Sequence, residues 1–96
     1  MKRRPMHKFR LFIASDTVNS EQAKSNLSAI CKTHLAGCHE IEVIDVFKDP
    51  ARALIEGIRM TPTLLKLAPP PQRRIIGTLA DGERVLHTLG LDTDIK

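Results

Sequence analysis

Met60-Thr61-Pro62-Thr63-Leu64-Leu65-Lys66-Leu67-Ala68-Pro69-Pro70-Pro71-Gln72-Arg73-Arg74-Ile75-Ile76-Gly77 sets two short apolar runs on either side of three consecutive prolines. Leu64 to Leu67 and Ile75 to Ile76 have the length and bulk of buried strands. Pro69, Pro70 and Pro71 fix φ and lack a backbone N–H, so neither a helix nor a sheet ladder runs easily through them. The simplest arrangement is two strands joined by a stiff turn, with an antiparallel pairing open to them. Pro62 stands just ahead of the first strand. A cis Thr61–Pro62 bond there would cost only about 0.5–1 kcal/mol, and the sequence leaves the isomer open. Leu and Lys are also good helix formers, so Leu64 to Leu67 is locally ambiguous.

On the C-terminal side, Leu79-Ala80-Asp81-Gly82 reads as a turn. Asp81 can cap a helix with Glu83 in its first turn, Val85, Leu86 and Leu89 on one face, and Gly90 as its stop. Residues 92–96 read as a flexible tail. On the N-terminal side, Asp49-Pro50 has the form of a helix start, with Asp49 as cap and Pro50 at the first helical position. That helix is expected from Pro50 to Glu56, ended by Gly57, with Leu54, Ile55 and Ile58 on its buried side. Before it, Glu40-Ile41-Glu42-Val43-Ile44-Asp45-Val46 is a β-branched strand.

A longer helix is expected from Ser20 to Leu35, with Asn19 as cap, Gln22 in capping-box position and Gly37 beyond its end. Ala23, Leu27, Ile30 and Leu35 fall near one of its faces. The first strand is Lys8 to Ala14. Phe9, Leu11 and Ile13 alternate onto one face, while Phe12 and Ala14 make the other face apolar, so a central strand covered on both sides is expected. Residues 1–7, with Lys2-Arg3-Arg4, read as a solvated arm. The order is βαβαββα. A strand–helix–strand start demands a right-handed crossover and a parallel pair. The expectation is therefore an α/β fold with a mixed four-stranded sheet and helices on both faces, one domain over residues 1–96.

Composition narrows the function classes. The chain has 96 residues, 42% apolar and 27% charged, which suits a folded globular chain rather than a disordered one. The net charge of +4 comes without Trp or Tyr and with only three Phe, so few rings are available to stack on single-stranded nucleic acid. No apolar run reaches membrane-spanning length and none precedes a signal cleavage site, so no membrane association and a cytoplasmic location are expected. Cys31-x-x-His34-x-x-x-Cys38-His39 is the one cluster of soft metal ligands. It is too compressed for the two paired-ligand arms of structural zinc, and a half-buried helical cysteine with surface histidines is expected instead. Ser15, Ser20 and Ser25 lack a histidine nearby in sequence. The chain has no Gly-x-Ser-x-Gly elbow and no glycine-rich phosphate loop, so no catalytic residue or cofactor is assigned.

Lys66, Arg73 and Arg74 are the charges that stand out. Across an antiparallel pair they could lie close together, held by Pro69, Pro70 and Pro71, and Arg10 could extend the patch. An acidic partner surface is the expected ligand. The alternatives are a solvated strand face that blunts a sheet edge, or nucleic acid bound with steep salt dependence.

The element order, with Thr61-Pro62-Thr63 leading into the third strand, resembles the thioredoxin fold. In that fold a cis proline sits in the equivalent place beside a Cys-x-x-Cys pair at the first turn. Here that turn is Ser15-Asp16-Thr17-Val18-Asn19-Ser20, without cysteine, so redox chemistry of that kind is not expected. A closer resemblance rests on Leu11-Phe12-Ile13-Ala14, Thr17, Asn19-Ser20, Val43-Ile44-Asp45-Val46, Lys48, Pro50, Thr61-Pro62-Thr63-Leu64, Lys66, Pro69-Pro70-Pro71 and Arg73-Arg74-Ile75-Ile76-Gly77. These resemble the KaiB family of circadian-clock proteins from about Lys8 to Leu91. The resemblance implies a non-enzymatic protein that binds the first ATPase domain of KaiC, displaces the sensor kinase SasA and captures KaiA. It also implies two folds. One is a tetramer of order βαββααβ; the other is a monomer with the thioredoxin-like order, which binds KaiC. The expectation is the thioredoxin-like state, as a monomer or weak dimer, in circadian or stress-related regulation. A thiol-dependent redox or stress protein is the second hypothesis.

Overall fold

The structure, a computed structural model, describes residues 5–91. The arm residues Lys2-Arg3-Arg4 and the tail 92–96 lie outside the described residues. Seven elements follow in order: β1 (His7–Ile13), α1 (Val18–His34), β2 (His39–Asp45), α2 (Pro50–Ile55), β3 (Thr63–Ala68), β4 (Arg73–Ile76) and α3 (Gly82–Leu89). The sheet runs β2-β1-β3-β4. β1 pairs parallel with β2, β3 pairs antiparallel with β1, and β4 pairs antiparallel with β3. The expected mixed sheet of four strands is therefore present, and its thioredoxin-like order is that read from the sequence.

Alternation along β1 divides the core. Phe9, Leu11 and Ile13 pack with Ala23, Leu27, Cys31 and Leu35 of the α1 region and with Val85 and Leu89 of α3. Phe12 points the other way, against Ile44, Leu65 and Ala53 of α2. A fully buried Leu or Phe contributes about 1.5–3 kcal/mol relative to an exposed one, so this central strand is where most of the packing energy converges. Leu64 and Leu65 repeat the division on β3, one in each cluster. The local ambiguity of Leu64 to Leu67 is thus resolved by two faces that each need cover, which only a strand between them supplies.

Four details differ from the sequence expectations. β1 begins at His7, which is buried rather than part of the arm. The cap of α1 is Thr17, not Asn19: Thr17 is extended, and its Oγ1 accepts from the Ser20 N–H at 3.3 Å. Ser20 is then free to turn inward, where its Oγ accepts from the Ala14 N–H at 3.0 Å and from the Thr17 hydroxyl at 2.7 Å. In α2, Leu54 and Ile55 are 82% and 81% exposed, and Ala53 is the buried residue. A helix of six residues sets only one side chain squarely on the sheet, and here it is the small one. Cys31 is fully buried rather than half-buried. At the other end of the chain α3 follows the sequence: Asp81 Oδ1 accepts from the Arg84 N–H at 3.2 Å, and Gly90 closes the helix at φ 75°.

Candidate functional site

The four cations singled out in the sequence occupy two faces of the sheet, because residues paired across strands share a face and adjacent ones do not. Leu65 pairs with Arg10 on one side and Arg74 on the other. Arg10 and Arg74 therefore lie on the α2 face. Lys66 pairs with Phe9 and Arg73, so these two cations lie on the face covered by α1 and α3.

On the α2 face both arginines are engaged. Arg10 donates to Glu42 at 2.9 Å and to Glu56 at 2.8 Å. Arg52 of α2 donates to the same Glu42 at 2.8 and 3.2 Å. Two guanidinium groups, Arg52 foremost and then Arg10, hold the Glu42 carboxyl down at about 2. The network ties β1, β2 and α2 together. Arg74 donates to the Glu56 carbonyl at 2.8 Å and the Gly57 carbonyl at 3.2 Å, so it satisfies the C-terminal end of α2 from the edge strand.

On the other face Lys66 is 5% exposed, and its Nζ donates to the Leu89 carbonyl at 3.4 Å. Burial, and secondarily the charge of Arg73, lower its pKa. Arg73 is exposed on the edge strand, and its guanidinium donates to the Gln72 carbonyl at 3.2 Å. The Thr61–Pro62, Ala68–Pro69 and Pro70–Pro71 bonds are cis. Pro62 is buried, and its carbonyl accepts from the Gly77 N–H at 2.9 Å, joining the entry of β3 to the exit of β4.

The turn after β1 carries no thiol. Ser15 donates to the Asp45 carboxylate at 2.9 Å, and the Phe47 N–H donates to that carboxylate at 2.9 Å. These bonds, the Phe47 N–H first, lower the Asp45 pKa. Cys31 lies well along α1, away from the helix N-terminus that could stabilise a thiolate, and burial pushes its thiol up to about 11. Both cysteines are free. Among the described residues no group of three or more His, Cys, Asp or Glu is placed to hold a metal ion, and no helix is long and apolar enough to cross a membrane.

One surface escaped the sequence reading. Val18, Phe47, Met60 and Ile76 are exposed apolar side chains. Val18 and Phe47 follow the ends of β1 and β2, Met60 precedes β3, and Ile76 ends β4. With β1, β2 and β4 running one way and β3 the other, all four gather at one end of the sheet. The available signal was position for two of them: Phe47 and Met60 stand in the connections just before Asp49-Pro50 and Pro62, where a bulky apolar residue has no strand or helix face to fill.

A family profile described as the KaiB domain matches residues 10–91. The chain belongs to the KaiB family. It is 47% identical over 83 residues to the circadian clock protein KaiB3 of Synechocystis sp., covering 86% of this chain and 79% of that protein. It is 46% identical over 92 residues to the circadian clock oscillator protein KaiB of Prochlorococcus marinus, covering 96% and 77%. Among solved structures, the N-terminal domain of SasA from Synechococcus elongatus is similar with a TM-score of 0.73 at 18% identity, over 100% of this chain and 94% of that one. Chloroplastic thioredoxin z is similar with a TM-score of 0.75 at 17% identity, over 95% and 82%. Both likenesses concern the fold, which is thioredoxin-like.

Proposed function

We propose that this KaiB-family protein is a non-enzymatic, cytoplasmic interaction protein that binds a KaiC-type ATPase and competes there with a SasA-like sensor kinase. Capture of a KaiA-like protein would follow on that complex. The observation that carries the reading is the family match, with 46–47% identity to circadian clock KaiB proteins over most of the chain. The fold shared with the SasA N-terminal domain is compatible with competition for one surface. The apolar end formed by Val18, Phe47, Met60 and Ile76 supplies a desolvated centre for such an interface, and Arg73 and Arg74 carry charge further along the edge strand that Ile76 ends. Lys66 and Arg10 act from beneath, through α3 and through the network on α2. The thiol hypothesis is disfavoured by the burial and raised pKa of Cys31.

The test is a competition titration. A labelled SasA-like domain is bound to a purified KaiC-type ATPase, and this protein is added. Displacement is the expected result; simultaneous binding of both would end the competition reading. Phe47→Asp should abolish displacement with the circular dichroism spectrum unchanged. The pair Arg73→Glu and Arg74→Glu should weaken binding by more than the roughly 0–1 kcal/mol of an exposed ion pair. Unchanged affinity in that double variant would remove both arginines from the interface.

A further inference from the structure

At the end of the sheet opposite the apolar cluster, Lys66 is buried beside a cavity of about 530 Å³. The Pro69-Pro70-Pro71 turn forms one wall, and His7, Thr33 and His34 contribute imidazole and hydroxyl groups to the others. Among the described residues no carboxylate lines it. An ammonium carries three N–H donors, and the bond that Lys66 makes, to Leu89 at the end of α3, is long at 3.4 Å. The negative end of the α3 dipole offsets only about half a charge. The charge that acts on Lys66 from β4 is Arg73, of the same sign. A buried cation with spare donors, a like charge behind it and an open cavity in front has no counter-ion among the described residues, and a buried charge left so is costly to keep.

We infer that this cavity binds a small phosphate-class oxyanion, with Lys66 as its charged anchor. Four groups, from β1, α1 and β3, surround the space: the Lys66 ammonium, the His7 and His34 rings and the Thr33 hydroxyl. A tetrahedral oxyanion presents acceptors in several directions at once, so one oxygen can take the spare Lys66 donors while others face the remaining walls; a carboxylate presents only two oxygens in one plane. The proline turn gives an apolar wall on which an esterified body could rest. Because Lys66 also reaches α3, a bound anion would favour the state in which α3 is docked, in proportion to its occupancy. The site lies at the other end of the sheet from the apolar centre of the proposed partner surface and does not depend on that reading, although Arg73 neighbours both.

The experiment is an NMR titration of the full chain with inorganic phosphate, against sodium chloride at matched ionic strength. Saturable shifts confined to Lys66, Thr33, His34 and residues 69–71, absent with chloride, are expected. Shifts that grow linearly and equally with both salts would overturn the proposal. Lys66→Met should weaken phosphate about tenfold or more, the loss of a charged hydrogen-bond partner. Phosphate binding unchanged in that variant would leave Lys66 only as a cap on α3 and overturn the proposal. Should the variant fail to fold, the native protein still decides. The Lys66 side-chain carbon signal should titrate at higher pH with phosphate present, against the opposing charge of Arg73 and with His7 and His34 alongside; an unmoved titration counts against the site. A parallel titration with phenyl phosphate separates sources. Tighter binding assigns a phosphate ester, and equal or weaker binding assigns the free ion.

Discussion

Glu42 shows how far a single residue escapes the sequence. It is an ordinary alternating strand position, yet it receives Arg10 from β1 and Arg52 from α2. Only the register of β1 on β2 places Arg10 opposite Glu42. Its folded pKa of about 2 lies below the unfolded value of about 4.3. The sign follows: its contribution to stability is fully present above the unfolded value and is lost as pH falls toward 2. Urea midpoints measured across the acid range should therefore decline more steeply for the native protein than for Glu42→Gln, and the two curves should converge at the acid end. Parallel curves would mean that the network adds nothing. The same reasoning explains why the cationic patch was only partly legible. Lys66, Arg73 and Arg74 could be seen as neighbours in the chain and across a hairpin. Consecutive strand residues point to opposite faces, however, so Arg73 sides with Lys66 and Arg74 with Arg10.

At the scale of elements, the sequence was most informative where local chemistry and tertiary packing agree. Asp81 and Gly90 bound α3 because cap and stop are intrinsic to those residue types. α1 was harder, since Thr17 and Asn19 both have capping side chains within two positions. The choice of Thr17 comes from outside the helix: Ser20 must be inside the first turn for its hydroxyl to meet the Ala14 N–H at the end of β1. Thr17→Ala should thus destabilise the protein by about 1 kcal/mol, while Asn19→Ala, in the exposed first turn, should stay within about 0.5 kcal/mol. Equal losses in chemical denaturation would return the cap to Asn19. α2 misled for another reason. Leu54 and Ile55 have the composition of a buried face, but six residues wind too few turns to bury both beside Ala53.

For the whole molecule, the packing the chain holds in solution can be read from its C-terminal region. The family resemblance admits a tetramer in which the C-terminal region is a strand, and the structure has that region as α3 docked on β1, β3 and β4. Two glycines separate these states. Gly90 ends α3 at φ 75°, the left-handed conformation that this helix stop requires, and a Cβ built there meets nothing within 4 Å. Replacing it with Ala therefore acts through the backbone alone, at a cost of about 1–2 kcal/mol, provided residues 82–89 are helical. In an extended strand that requirement vanishes and the substitution should cost little. Gly82 is the first residue of α3, with open space for a Cβ, and Gly82→Ala should stabilise the helical state by about 0.4–1 kcal/mol by restricting the unfolded chain. The expected outcome is a lower denaturation midpoint for Gly90→Ala and a higher one for Gly82→Ala. Sedimentation should give a species of monomer mass, with helical secondary shifts from Val85 to Leu89. A tetrameric species with strand shifts between Val85 and Leu91, indifferent to Gly90→Ala, would place the chain in the other packing and make the docked α3 a minor state.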